Sequence, residues 1–274
     1  MTRHDIAKGL HAMLLGLMIL LLAAAPALAQ ESAQAKGRLY LVGLGAGDPD
    51  NMTIRAQKTI AAADVIFAMK GVQERYADLL AGKELHEAGH GLFMKRSHRL
   101  VSNESFAAQE ENARKVIRQA VAQGKTVAIL DNGDPMIFGP HAGYLEEFKD
   151  LNPEVIPGLS SFNAANAALQ KSVTSGKKSH AAILTAAMRD GEGLAKLAKS
   201  QSTMVFFTMR LDLPKVVEQL KKSYPGNTPM AIVFHAGSRQ EQKVLLATLD
   251  TIVEKAGDKR LPFEHLIYIG DFLN

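Results

Sequence analysis

Most of the chemistry this chain can offer sits in three glycine-bearing segments and one histidine pair. The first segment, Val42-Gly43-Leu44-Gly45-Ala46-Gly47-Asp48-Pro49-Asp50, has glycine at every second position, so no Cβ keeps the backbone from turning tightly or approaching a ligand. Its spacing differs from the G-x-G-x-x-G dinucleotide fingerprint, and alone it reads equally well as a structural turn. The second segment is Asp131-Asn132-Gly133-Asp134-Pro135-Met136-Ile137-Phe138-Gly139. The third, Ile156-Pro157-Gly158-Leu159-Ser160-Ser161, ends in two hydroxyls at a helix start, where either serine serves as an N-cap or as a ligand contact. The histidine pair belongs to His86-Glu87-Ala88-Gly89-His90, the H-E-x-x-H string of zinc peptidases, in which two imidazoles one helical turn apart hold the metal. Gly82, Gly89 and Gly91 argue against the helix that this chemistry needs, and Arg96 stands where an extended motif would place a further histidine. With no cysteine in the chain, thiolate nucleophiles, disulfides and cysteine-ligated metals are excluded.

The elements that must position these segments are short apolar runs alternating with helical patterns. Buried strands are expected at Arg38 to Leu44, Asp64 to Ala68, Lys125 to Asp131, Glu154 to Ile156, His180 to Thr185, Thr203 to Thr208, Met230 to Phe234 and Leu266 to Ile269. Phe106, Ala113, Val116, Ile117, Ala120 and Val121 recur at helical spacing and end at Gly124, a natural cap. Asp212-Leu213-Pro214 opens another helix with an acceptor side chain and an early proline. Strands alternating with helices predict an α/β fold with mostly parallel sheets, and each glycine segment directly follows a strand, where open α/β sheets collect ligands. A seam at Lys149 to Pro153 divides the expected domains into residues 37–150 and 154–274. The 274 residues are 47% hydrophobic and 22% charged, which excludes disorder. A net charge of +4 without a clustered basic face gives no case for nucleic acid, and Met94-Lys95-Arg96-Ser97-His98-Arg99 reads as a solvated loop.

Taken in order, the three segments, the strand Thr203 to Phe207, and Pro229 to His235 leading to Gln242 and Leu249-Asp250 resemble the tetrapyrrole methylases, over Arg38 to Leu273. The resemblance implies two α/β domains with a cleft between them, a homodimer, and methyl transfer from S-adenosylmethionine to a porphyrinoid or corrinoid. Carried over by position, it implies cofactor contacts at Asn132, Gly133, Asp134, Ile137, Ser160, Ser161, Thr208, Met209, His235 and Ala236. The opening loop, Gly43, Gly45, Gly47 and Asp48, would border the tetrapyrrole, with Asp48 the candidate acceptor of the proton that alkylation releases. No resident metal is implied, although His86, His90, His98 or His141 could meet a metal carried by the macrocycle. The chain departs from many relatives at Ala46, where they have proline, and at Thr208, where they have methionine. Met69 replaces the aspartate of those that methylate uroporphyrinogen.

The N-terminus carries an address of its own. Arg3 and Lys8 precede an apolar run from Leu10 to Ala25, and Ala27-Leu28-Ala29 is a cleavage signature before Gln30. Residues 1–29 therefore read as a signal peptide that sends the domain to the periplasm, or tethers it to the membrane if uncleaved. Export separates the domain from a donor made in the cytoplasm, so two functional readings stand: an exported methyltransferase, and a non-catalytic protein of the same fold that binds a tetrapyrrole or another small ligand.

Overall fold

Leu39 to Val42 are buried on both faces of the opening strand, as a strand covered by helices on each side requires. The computed structural model describes residues 37–94, 103–178, 180–186, 191–207, 211–257 and 260–274. The signal peptide read at residues 1–29, the basic stretch from Lys95 with His98, and the cofactor candidates Thr208 and Met209 lie outside the described residues.

The first half runs β1 (Arg38–Gly43), α1 (Ile54–Ala62), β2 (Val65–Ala68), α2 (Lys70–Arg75), α3 (Ala77–Leu80), β3 (Glu84–Glu87), α4 (Asn103–Ala122), β4 (Thr126–Asp131), α5 (Gly143–Glu147) and β5 (Glu154–Ile156). Its strands form one wholly parallel sheet in the order β3-β2-β4-β1-β5. Side-chain alternation divides the apolar runs between two cores. Leu39, Leu41, Val127 and Ile129 pack with Ile117, Tyr144 and Phe148 of α4 and its neighbours, while Tyr40, Val42, Ala128 and Leu130 face Ile60, Val72 and Leu80 on the other side. Thr53 caps α1 by accepting from the Ala56 N–H at 3.1 Å, and Gly124, at φ 81°, ends α4 where the sequence placed its cap.

The second half comprises α6 (Ser161–Leu169), β6 (Ala182–Ala186), α7 (Gly191–Ala198), β7 (Thr203–Phe207), α8 (Leu213–Leu220), β8 (Pro229–Phe234), β9 (Lys243–Thr248), α9 (Ile252–Ala256) and β10 (His265–Ile269). Its sheet, ordered β6-β7-β10-β8-β9, corrects the expectation of mostly parallel sheets here, because only β6 and β7 pair in parallel. The seam also moves. Glu154 to Ile156, expected to open the second domain, pairs with β1 at the edge of the first sheet, so the chain passes between sheets after Ile156. Two strands, β3 and β9, have no counterpart in the sequence reading; both are edge strands with exposed positions and lack the buried run that marks the others.

In the first sheet β4 inserts between β2 and β1, and β5 lies beyond β1. The chain thus reverses its direction across the sheet at β1, and the loops leaving β1, β4 and β5 meet above adjacent strand ends, the place where such sheets form a crevice.

Candidate functional site at the strand ends

The three glycine segments lock together backbone to backbone. Gly45 and Gly133 exchange hydrogen bonds, Gly45 N–H to Gly133 O at 3.2 Å and Gly133 N–H to Gly45 O at 3.1 Å, and Ala46 N–H donates to Leu159 O at 2.9 Å. A Cβ on Gly158 would stand 2.0 Å from Gly133 O, and one on Gly43 would stand 2.6 Å from Gly158 N. Gly158→Ala is therefore expected to destabilise the fold by about 3 kcal/mol through overpacking of rigid backbone. Thermal unfolding should show this as a fall of several degrees, at about 2–4 °C per kcal/mol for a chain of this size.

Gly133 differs from its neighbours. Its φ is 70°, and a Cβ there would find nothing closer than Leu159 O and Ser161 N, both at 3.9 Å. The left-handed backbone disfavours most side chains, yet a Cβ there would make only ordinary van der Waals contact, unlike those at Gly43 and Gly158. Asp134 beside it fixes the loop, its Oδ1 accepting from Met136 N–H at 2.8 Å and its Oδ2 from Gly158 N–H at 3.3 Å; Ile137 N–H donates to Asp134 O at 3.2 Å. Asn132 is exposed at the same turn. Ser160, 3% exposed, accepts from Phe162 N–H at 3.0 Å and so caps α6, with Ser161 as the first helical residue. The cap reading of Ser160 is thus realised, and the backbone that leads into it, Leu159 O and Ser161 N, lies 3.9 Å from the Cβ position of Gly133.

The second half closes on this platform from two sides. Asp48 N–H donates to Gly237 O at 3.0 Å, Asn51 Nδ2 donates to both Ala46 O and Gly237 O at 2.9 Å, and Asp48 Oδ2 accepts from Arg239 N–H at 2.9 Å. Gly47 packs directly on the Gly237 backbone. Arg239 pairs with Asp50, and Arg75 Nη2 donates to Gly47 O at 2.5 Å. Around these groups opens a cleft of about 570 Å³ lined by Asp48, Asp50, Arg75, Arg239 and Glu241. On the other side Phe138, held at φ 59°, places its ring 4.6 Å from that of Phe207, at the end of β7.

Of the described candidates, Gly45, Gly47, Asp48, Asn132, Gly133, Asp134 and Ile137 lie on these loops, Gly43 ends β1, Ser160 caps α6 and Ser161 opens it. His235 adopts φ 46° with Nδ1 3.3 Å from Glu264 Oε2, and with Ala236 it leads into Gly237 beside the opening loop. Sequence reasoning missed Asn51, Arg75, Arg239 and the Phe138–Phe207 contact. Their partners are distant in the chain, and only the strained setting of an aromatic in a glycine-rich turn could have flagged Phe138.

The zinc-peptidase string is taken apart by the fold. His86 and Glu87 lie in β3, where residues four apart do not share a helical face; the His86 ring stacks on Phe67 at 5.0 Å and its Nε2 lies 2.9 Å from Glu84 Oε1. Among the described residues no group of three or more His, Asp or Glu side chains is placed to hold a metal. Elemental analysis is expected to find no stoichiometric zinc; a zinc that disappears in His86→Ala would overturn this.

The model of the Tetrapyrrole (Corrin/Porphyrin) Methylases matches residues 38–253. A cobalt-precorrin-4 C(11)-methyltransferase from Methanocaldococcus jannaschii is 34% identical over 245 residues, covering 86% of this chain and 88% of that one. The fold is shared with a solved cobalt-precorrin-4 methyltransferase, with a TM-score of 0.67 at 24% identity over 86% of this chain and 96% of the other. It is shared too with a uroporphyrin-III C-methyltransferase from Thermus thermophilus solved with S-adenosylhomocysteine, with a TM-score of 0.62 at 24% identity over 86% and 99%. The glycine platform, the cleft beside it and the match across both sheets place the chain in one family: it belongs to the tetrapyrrole methylases.

Proposed function

We propose that this chain transfers the methyl group of S-adenosylmethionine to a carbon of a corrinoid or porphyrinoid macrocycle, and that it works as a homodimer outside the cytoplasm. Membership of the family makes it an S-adenosylmethionine-dependent C-methyltransferase; the choice of macrocycle, the assembly and the location are the proposal. The similarity to a cobalt-precorrin-4 C(11)-methyltransferase and the presence of Met69 in place of the family's uroporphyrinogen-linked aspartate favour the corrinoid side. Exposed Val244 and Leu246 on β9 offer apolar surface for a second copy. Export rests on residues 1–29 alone. Among the described residues no helix is long and apolar enough to cross a membrane.

The observation that carries the reading is the uncrowded left-handed turn at Gly133, where a Cβ would come no nearer than 3.9 Å to Leu159 O and Ser161 N while its glycine neighbours are packed backbone to backbone. Such a turn fits a donor held by main-chain groups and small side chains: Asn132, Gly133, Asp134 and Ile137 from one loop, Ser160 and Ser161 from the next. The bound donor supplies an electrophilic methyl on a sulfonium, and the transfer is an in-line displacement for which the protein mainly provides orientation. The backbone bonds between Gly45 and Gly133 and between Ala46 and Leu159 fix the opening loop against the donor loops, so donor and acceptor sides share one rigid platform. Arg75 and Arg239 at the cleft can meet the acidic side chains of a macrocycle. In this reading Asp48, on the opening loop, takes the proton that leaves when a carbon bearing hydrogen is alkylated.

Calorimetric titration of S-adenosylhomocysteine into the full chain tests the reading. A one-to-one complex near micromolar strength, roughly −8 kcal/mol, is expected. Absence of binding to folded protein would defeat it in favour of a non-catalytic binder, the reading that export and the departure at Ala46 favour. Light scattering showing a monomer would defeat the dimer, and recovery of the expressed chain from the cytoplasm with residues 1–29 intact would defeat export.

A further inference from the structure

The Gly-Asp-Pro loop leaves β4 at Asp131 and returns at His141. Both residues are buried, 1% and 0% exposed, and nothing described so far uses them. Asp131 Oδ2 accepts from the His141 backbone N–H at 3.4 Å and lies 3.3 Å from Nδ1 of the same residue. On its other edge His141 Nε2 is 3.0 Å from Gly89 O, at the exit of β3. Oδ2 is also where a Cβ on Gly139 would press, at 2.7 Å, so the carboxylate packs against the returning arm of the loop.

The proton count follows from the partners. A carbonyl oxygen only accepts, so Nε2 carries a hydrogen and donates it to Gly89. Nδ1 then faces a carboxylate oxygen. A bare Nδ1 beside an ionised carboxylate would bury two lone pairs against each other and leave a charge uncompensated, an arrangement costly away from water. Asp131 Oδ1 and His141 Nδ1 are both buried without a hydrogen-bond partner among the described residues, so each is the nearest group that can compensate the other.

We infer that Asp131 and His141 hold one proton between them, and that this pair is a positioning device that clamps the two ends of the Gly-Asp-Pro loop to each other and to the β3 exit, setting Asn132 and Gly133 for the methyl donor. The inference rests on the donor site proposed above. The surroundings agree with it. Tyr144, on α5, donates its hydroxyl hydrogen to Ala88 O at 2.5 Å and is kept neutral by burial. Glu87 and Glu110, the acids nearest the β3 exit, are turned to the backbone N–H groups of Gly89 and Phe93 at 3.4 and 2.9 Å. His90, on the same exit, is lowered in pKa chiefly by desolvation. Neither Asp131 nor His141 reaches the cleft, so the pair acts through the loop.

The test combines nitrogen NMR of the wild-type full chain with titration of S-adenosylhomocysteine into variants. In the wild type, His141 is expected to show a hydrogen on both ring nitrogens, or a strongly deshielded one shared at Nδ1; a bare Nδ1 overturns the inference even if no variant folds. His141→Phe should weaken binding by about tenfold or more, whereas Asp131→Asn, whose amide nitrogen can donate to Nδ1 but no longer accepts from the His141 backbone N–H, should weaken it less. A folded His141→Phe with unchanged affinity, or an Asp131→Asn as weak as His141→Phe, overturns the positioning role, since a purely structural contact would lower the melting temperature and leave affinity alone. A wild-type chain that binds no S-adenosylhomocysteine defeats the donor-site reading itself, and the Nδ1 signature keeps that failure apart from failure of the pair.

Discussion

Gly133→Leu is expected to weaken S-adenosylhomocysteine binding from the micromolar range to beyond millimolar, a thousandfold or more and about 4 kcal/mol. Two properties of this position combine. The first is conformational: at φ 70° a leucine carries a strain of about 1 kcal/mol or slightly more, which the protein can absorb. The second is spatial. A Cβ at Gly133 makes only ordinary contact, with Leu159 O and Ser161 N at 3.9 Å, so the first carbon fits the fold and the rest of a leucine is expected to compete with the donor for the space beyond it. Gly133→Ala separates the two effects, because it carries the same strain with one methyl group; its melting temperature should match that of Gly133→Leu while its affinity falls less. A Gly133→Leu chain that folds and binds the ligand at wild-type strength would place the donor elsewhere.

Asp48→Asn is expected to lower kcat by about a hundredfold or more, the usual scale for loss of a general base, with donor affinity unchanged. The amide keeps an oxygen that can accept from Arg239 N–H, so the tie between the opening loop and the second half survives while the capacity to take a proton is lost. Asp48→Ala removes both and should also lower stability. Equal kcat in wild type and Asp48→Asn would reduce Asp48 to the structural tie and leave proton removal to solvent.

The three loops were legible because glycine and proline punctuate a chain whose strands are apolar on both faces. Val42 to Pro49, Asp131 to Gly139 and Ile156 to Ser161 each follow a buried run, and the sequence alone put them at strand ends, where the structure brings them together. Strand direction was not legible. Met204 to Phe206 and Leu266 to Ile269 are buried in the manner of a parallel sheet, yet they pair antiparallel, because burial by covering helices sets composition and pairing direction does not. Glu84-Leu85-His86-Glu87 was hidden for the opposite reason: an edge strand with polar side chains gives no periodic signal, and its histidine invited a helical motif that the fold denies. The partnerships across the site, Asp48 with Arg239, Asn51 with Gly237 and Phe138 with Phe207, span long stretches of chain, and no local pattern encodes them.

The insertion of β4 between β1 and β2 also governs how the molecule comes into being. Arg38 finds its partner only at Thr126, and Gly43 only at Asp131, so the middle of the first sheet cannot close while the chain is being synthesised until β4 has emerged. Pairings of such long separation carry their loop-closure cost before any contact offsets it, which makes the first half the slow step of folding. The β8–β9 pair, by contrast, joins neighbours such as Phe234 and Lys243 and can form as soon as both strands exist. A nascent chain therefore carries apolar β1 unpaired, and β2 with only the edge strand β3 beside it, until β4 has emerged, the interval in which a chaperone would find it open.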